Sequence, residues 1–190
     1  YYYAARYHRS TNGTITRIAT QAPPSTLIYT VFQNAGYSSN TGVEMVFQQN
    51  FSKAFSFNSN VNIYRNIINA FTVENKYPVL SIYTAGKEAI TSGNVKLNGI
   101  FHLPKKTYIQ LTAIYLAPDI IPQGRIDTRF SVDMGIRKQI QKDKGELFFN
   151  ASDIFNTLRI KKTVTGNGFT LASTDYYETQ VIRLGYSYKF

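Results

Sequence analysis

The sequence predicts an all-β fold, an antiparallel transmembrane β-barrel. Three observations predict it: a closing segment with one apolar and one polar face, about nine segments that alternate with a period of two, and connections that alternate between short and long.

The closing segment, 182–190, is the clearest. Ile182, Leu184, Tyr186, Tyr188 and Phe190 are apolar or aromatic, while Arg183, Gly185, Ser187 and Lys189 between them are small or charged. A strand built this way has one greasy face and one wet face, and the greasy face grows more aromatic towards Phe190. In a membrane barrel the outer face meets lipid, the inner face meets water or a plug, and aromatic rings sit at the membrane–water boundary.

The remaining segments follow in chain order. Segments 1–9 and 14–21 form the least distinct pair, joined by Thr11-Asn12-Gly13, where Asn-Gly suits a tight hairpin turn. Val43, Met45 and Phe47 then alternate with Gly42, Glu44 and Gln48. After a turn near 50–53, Phe55, Phe57, Val61 and Ile63 alternate with Ser56, Asn58, Asn60 and Asn62. Segment 93–102 leads into Leu103-Pro104-Lys105-Lys106, where Pro104 has no N–H and so fits a turn better than a ladder position. Ile109, Leu111, Ala113 and Tyr115 line one face of 107–117.

Segment 125–140 is the strongest internal case. Phe130, Val132, Met134 and Ile136 alternate with Arg129, Ser131, Asp133, Gly135 and Arg137. An Arg or Lys facing lipid at mid-depth costs about 2–4 kcal/mol, so the charged row must face inward. The same reasoning makes Arg129, Asp133, Arg137, Arg183 and Lys189 lumen-facing. Segment 146–156 continues with Leu147, Phe149 and Ala151 on the outward row. Asp153-Ile154-Phe155-Asn156 breaks that alternation and reads as a bulge or as the outer membrane boundary.

Short turns fall at 10–13, 50–53, 103–106 and 141–145; long connections fall at about 22–36, 67–87, 117–124 and 157–177. Short periplasmic turns and long extracellular loops are the barrel rule, and one orientation places all four short turns on the side of Phe190. A soluble sandwich has no reason to sort its connections in this way. Nine strands would put Tyr1 at the outer surface, whereas bacterial single-chain barrels have even counts, so the expectation is a portion of a longer chain. The start at Tyr1, without an initiator Met or a signal peptide, leads to the same expectation.

Composition agrees. The chain has 15 Tyr and 13 Phe but no Trp, no Cys and two histidines among 190 residues. Without Cys there is no disulfide, thiolate metal site or cysteine nucleophile. No apolar run reaches the roughly 18 residues of a membrane helix, but a membrane strand needs only about ten. The net charge of +10 comes from Lys and Arg spread along the chain, apart from the pairs Lys105-Lys106 and Lys161-Lys162, which argues against nucleic acid as a partner.

At this point the residues resemble a known family. Asn40-Thr41-Gly42-Val43-Glu44-Met45-Val46-Phe47, then Phe149-Asn150-Ala151-Ser152-Asp153-Ile154-Phe155-Asn156, and the ending Leu184-Gly185-Tyr186-Ser187-Tyr188-Lys189-Phe190 are similar to the C-terminal barrel half of TonB-dependent outer-membrane receptors of the Bacteroidota type. The resemblance implies that residues 1–190 are the last nine or so strands of a barrel of about 22, filled by an N-terminal plug that this chain does not contain. It implies a location in the bacterial outer membrane and uptake of a scarce solute. The implied partners are outer-membrane lipid, the barrel-assembly machinery, a TonB-type energy-coupling protein acting through the N-terminal part, and a surface lipoprotein. It further implies that Tyr186, Tyr188 and Phe190 form the signal read by the assembly machinery.

Catalysis finds no support, because G-x-S-x-G, H-E-x-x-H, P-loop and dinucleotide motifs are all missing. No cofactor or metal is expected. His8 and His102 would serve as half of a hydrolase pair only with a serine nearby, and His102 beside its turn reads as an interfacial side chain. Asp127, Asp133 and Asp153 have no convincing metal spacing and are expected to pair with Arg125, Arg129 and Arg137. Asn12-Gly13-Thr14 matches a glycosylation acceptor by chance. Tyr77, Tyr83, Tyr176 and Tyr177, in long connections rich in Tyr, Asn and Gly, are the candidate ligand rings, with simple girdle or loop packing as the plainer alternative. Rival classes are a structural, adhesive or assembly barrel, a lipid-hydrolysing barrel and a soluble β-sandwich.

Overall fold

The computed structural model describes residues 1–77 and 79–190; Pro78, within the long connection expected at 67–87, lies outside the described residues. Among the described residues sixteen strands follow one another: β1 (Tyr2–Asn12), β2 (Ile15–Gln21), β3 (Ile28–Asn34), β4 (Tyr37–Asn50), β5 (Phe55–Ile68), β6 (Phe71–Asn75), β7 (Ser81–Ala85), β8 (Glu88–Leu103), β9 (Thr107–Leu116), β10 (Asp119–Ile121), β11 (Gly124–Ile126), β12 (Arg129–Ile140), β13 (Gly145–Ser152), β14 (Arg159–Gly166), β15 (Phe169–Tyr176) and β16 (Val181–Tyr188). A 3-10 turn, Gln141–Asp143, joins β12 to β13.

Eight strands form one antiparallel sheet in the order β1-β4-β5-β8-β9-β12-β13-β16. The pairing register shows why alternation was so legible. Residues opposite one another share a face, and Phe55, Phe101, Ile109, Ile136, Phe149 and Leu184 fall in one row across six strands. A second row runs Phe47, Ser59, Leu97, Ala113 and Val132, and a third runs Met45, Val61, Val95, Tyr115 and Phe130. The other face carries rows such as Asn58, Asn98, Thr112 and Asp133. Gln110 and Thr112 both donate to the Asn98 side-chain oxygen, at 2.8 and 2.9 Å, so the polar face bonds to itself. The apolar face is left open: Ile182, Leu184 and Ile63 are 69%, 79% and 51% exposed. A one-residue slip would exchange the faces of an entire strand, which is why lipid on one side specifies the register.

Three of the four expected short turns join neighbouring strands at one end of this sheet, at 51–54, 104–106 and 141–144. Lys105 and Lys106 have φ of 58° and 53°, the left-handed conformation that tight hairpins require. The fourth expectation is corrected. Segment 1–9 does not pair with 14–21; all of β1 pairs with β4, from Tyr2 opposite Phe47 to Asn12 opposite Tyr37. Thr14 to Gln21 cannot be a lipid-facing strand, because Ile18, Ala19 and Thr20 are buried on both faces in succession. Gly13, with φ of 87°, still turns the chain, but it turns it out of the sheet: Gly13 N and Thr14 N both donate to Gly36 O.

The main sheet therefore has eight strands where about nine were expected, and Tyr1 lies at the same end as Phe190, not at the opposite surface. The strand count of this sheet is even, which corrects the odd count expected from the sequence. The long connections are not plain loops either. β2 pairs with β3 and β6 with β7, both antiparallel, while β10, β11, β14 and β15 form a separate four-stranded sheet. The sheet is open, with β1 and β16 each paired on one side only among the described residues.

Substituting Val132→Arg puts a cation in the middle of the apolar face and should destabilise the protein in lipid by about 2–4 kcal/mol. Asn150→Arg, on the polar face of β13, should change stability by less than about 0.5 kcal/mol. Denaturant midpoints of the protein in lipid vesicles separate the two; equal losses would show that the faces are not chemically distinct.

Candidate functional site

The best-packed part of the molecule stands at the end of the sheet opposite the short turns. Ile18, Ala35, Ile68, Phe71, Val73 and Ile120 form a small core there, drawn from four different elements and their junctions, with Tyr83, Ala85 and Ile90 packed against it. An eight-stranded wall that exposes its apolar face to lipid has no core of its own; the outer hairpins make one by packing on each other.

Side-chain amides join them. The Gln123 Nε2 donates to Ala19 O at 3.0 Å and its Oε1 accepts from Ala19 N at 2.6 Å, so one side chain pairs with the backbone of β2 as a neighbouring strand would. Asn75 is fully buried and donates to Thr20 Oγ1 at 2.6 Å, while Gln33 donates to Asn75 Oδ1 at 2.9 Å and Glu74 O at 3.1 Å. Asn167 donates to Ile82 O at 2.8 Å. These bonds tie all four excursions into one cap.

The cap is anchored on the polar face through Asp119. Its carboxylate accepts from Tyr64 Oη and from Asn66 Nδ2, each at 2.8 Å, and from its own neighbour Ile120 N. Beside it, Tyr7 Oη donates to Asn62 Oδ1 at 2.9 Å and Asn40 Oδ1 at 3.2 Å. A second anchor is Asp153, which is 1% exposed and has φ of 44°. Its carboxylate accepts from Thr157 N, Leu158 N, Thr179 Oγ1 and Thr157 Oγ1 at 2.7–3.3 Å, while its N–H donates to Asp133 Oδ1 at 2.8 Å. Burial favours the neutral acid, but the four donors outweigh it and hold the Asp153 carboxyl below the ordinary carboxylate range.

Two clefts of several hundred Å³ open in this region. One, of about 520 Å³, is lined by Tyr83, Glu88, Gln123, Arg125, Asp127 and Thr163 among others. The other, of about 550 Å³, is lined by Pro118, Asp127, Asn156, Thr157, Arg159 and Lys161. Tyr83 packs on Phe71 with ring centroids 6.0 Å apart. Burial, reinforced by the Glu88 carboxylate, pushes its phenol up, so the hydroxyl stays neutral and can both donate and accept. Mixed charge, one neutral phenol and several hydroxyls can bind a polar solute by hydrogen bonds and ring stacking.

Of the four candidate ligand rings, Tyr83 is the one that lines these clefts among the described residues. Tyr77 packs edge-on against Tyr29 at 6.0 Å, Tyr176 lies under the Arg159 guanidinium at 5.9 Å, and Tyr177 is 62% exposed. Gln123, Asn75 and Asp119 had no local signal, since their partners lie far away in sequence. Arg129, Asp133 and Arg137 share the polar face of β12, and Arg183 stands opposite Asn150 on the same side. The expected pairing of Asp127, Asp133 and Asp153 with Arg125, Arg129 and Arg137 is corrected. Arg137 lies 3.7 Å from Glu146 and over the Tyr108 ring, and the other ion pairs among the described residues are Lys106–Asp143 and Lys162–Asp175. His102 is opposite Tyr108 on the polar face, its ring edge-on at 5.2 Å, one residue before β8 ends at the 104–106 turn. At the chain end, Tyr188 and Phe190 stack edge-to-face at 5.4 Å, Tyr186 Oη donates to Gln141 Oε1 at 2.6 Å, and Lys189 N donates to Lys144 O.

A one-sided apolar meander with short turns at one end and a hairpin cap at the other defines a class, the transmembrane β-barrel proteins of the bacterial outer membrane. The chain belongs to the outer membrane protein beta-barrel family, which it matches over residues 1–188. No curated protein and no solved structure is detectably similar to it.

Asp153→Ala should destabilise the protein by about 1–3 kcal/mol, because it leaves several donors at the strand end without their acceptor. The sign of the pH effect follows from the lowered pKa. The carboxylate's contribution is complete above the unfolded-state value of about 4 and is lost as pH falls below that, through the lower folded-state value. Denaturant midpoints from pH 7 to pH 2 should therefore fall for the wild type and change less for Asp153→Ala; parallel curves would remove Asp153 from this role.

Proposed function

We propose that this chain is one wall of a TonB-dependent-type receptor that admits a scarce polar solute through the outer membrane. The observation that carries the reading is the cap: four excursions bonded into one unit, anchored on the polar face by Asp119, with clefts of several hundred Å³ beside the face that a closed barrel turns to its lumen. The open edges of β1 and β16 support a wall of a larger barrel, because unpaired strand edges cannot remain exposed in hydrocarbon. The row of Arg129, Asp133, Arg137, Arg183 and Lys189 would then line the lumen. Coupling to a TonB-type protein would run through a plug that these residues do not include.

A second reading, a structural, adhesive or assembly barrel, draws on the apolar residues exposed on the cap, including Ile15, Phe32, Leu80 and Ile82. In the receptor reading the same residues would meet a surface lipoprotein. Uptake by cells lacking the gene decides between them, measured with labelled oligosaccharides, oligopeptides and iron chelates, with and without a protonophore. The receptor reading expects one solute class to lose energy-dependent uptake. Unchanged uptake of all three with altered adhesion or envelope assembly would favour the second.

The assembly machinery should read the aromatic end of β16, which must be recognised by edge pairing before the barrel closes. Deleting Phe190 should sharply lower the amount inserted in the outer membrane while export to the periplasm continues. Unchanged surface levels would remove Tyr186, Tyr188 and Phe190 from that role.

A further inference from the structure

We propose that Arg6 and Arg65 form a binding site, on the membrane-facing side of the sheet, for the phosphate of an outer-leaflet lipid headgroup. The proposal rests on the outer-membrane location and the register, not on the transport reading. Arg6 stands opposite Val43, and Val43 opposite Ile63; one step further out, Thr41 stands opposite both His8 and Arg65, and Arg65 opposite Thr91. All of these share the face of Met45 and Val61, so two arginines cap an apolar surface that lipid covers.

Their depth is set by the strand. From Leu103 to Gly93, β8 runs roughly 33 Å, or about 25 Å of membrane thickness at the usual tilt, which is the height of a barrel's apolar band. Counted on β5 itself, the ten residues from Phe55 to Arg65 cover the same height, so Arg65 sits at the edge of the band, and Arg6, whose row is two residues nearer the short turns, reaches toward that edge with its long side chain. The cap rises from this end, which makes the edge the outer-leaflet one.

The two side chains border a shallow cleft of about 380 Å³ with Val43 and Ile63 in its floor. Arg65 Nη1 donates to Thr91 Oγ1 at 3.4 Å, and the His8 ring is held by Thr41 Oγ1 at 2.7 Å. Among the described residues, neither arginine has a carboxylate partner. Two unpaired guanidiniums over an apolar floor fit an amphiphile with an anionic head: the phosphate accepts from the forks, and acyl chains lie on Val43, Ile63 and the rows below.

The test uses the full-length protein extracted in a zwitterionic detergent and read by native mass spectrometry. The probes are a monophosphorylated, acylated disaccharide and the same lipid without its phosphate. The phosphorylated lipid should remain bound to the wild type, and the double variant Arg6→Gln/Arg65→Gln should bind it at least about tenfold more weakly, as for the loss of a charge-assisted hydrogen bond. Arg9→Gln removes the same charge from β1 on the opposite face and should bind as the wild type does. A large excess of inorganic phosphate should leave the lipid in place. Equal binding of the dephosphorylated lipid, undiminished binding by the double variant, or an equal loss in Arg9→Gln would overturn the proposal. Displacement by inorganic phosphate would also overturn it, by assigning the cleft to the free ion.

Discussion

Everything in this structure follows from a sheet that must satisfy its backbone while offering one face to lipid. In hydrocarbon no water replaces a missing hydrogen bond, so each spanning residue is held by a neighbouring strand. With the backbone occupied in this way, side chains alone distinguish the two faces. Rows such as Phe55, Phe101, Ile109, Ile136, Phe149 and Leu184 hold only when every strand keeps its register. The polar face is held by the same ladder and adds bonds of its own, from Gln110 and Thr112 to Asn98.

That constraint moves the hydrophobic core out of the sheet. A wall that spends its apolar side chains on lipid cannot also pack them against each other, and the buried cluster of Ile18, Phe71, Val73 and Ile120 forms where the chain leaves the membrane. There the backbone of short, separate hairpins needs partners, and glutamine and asparagine side chains supply them because an amide both donates and accepts. Gln123 does this for Ala19, and Asn75 does it between Thr20 and Gln33. Asp119 and Asp153 perform the complementary task at the junction with the sheet, where free N–H and hydroxyl groups need an acceptor.

Turns show how far local chemistry reaches. The turns at 51–54, 104–106 and 141–144 were legible because polar or Pro-containing stretches interrupt strong alternation and the flanking strands pair with each other. Asn12-Gly13 carries an equally good turn signal, yet it leads out of the sheet. What decides the partner of β1 is that β4 matches it over its whole length while β2 is buried on both faces. Tyr83 was legible as an aromatic in an outer connection, but so were Tyr77, Tyr176 and Tyr177, and only packing on Phe71 places Tyr83 beside a cleft.

The sequence by itself determined the class of fold, the two faces of most spanning strands and the short turns on one side, because these rest on period-two alternation and turn chemistry within a few residues. Tertiary structure alone decided the eight-strand count, the cap and its clefts, the bonding of Asp119, Asp153 and Gln123, and the meeting of Arg6 with Arg65 on the lipid side. Each of these depends on which distant strands become neighbours. That choice is made by ladder length and burial summed over the whole sheet, and no local pattern records it.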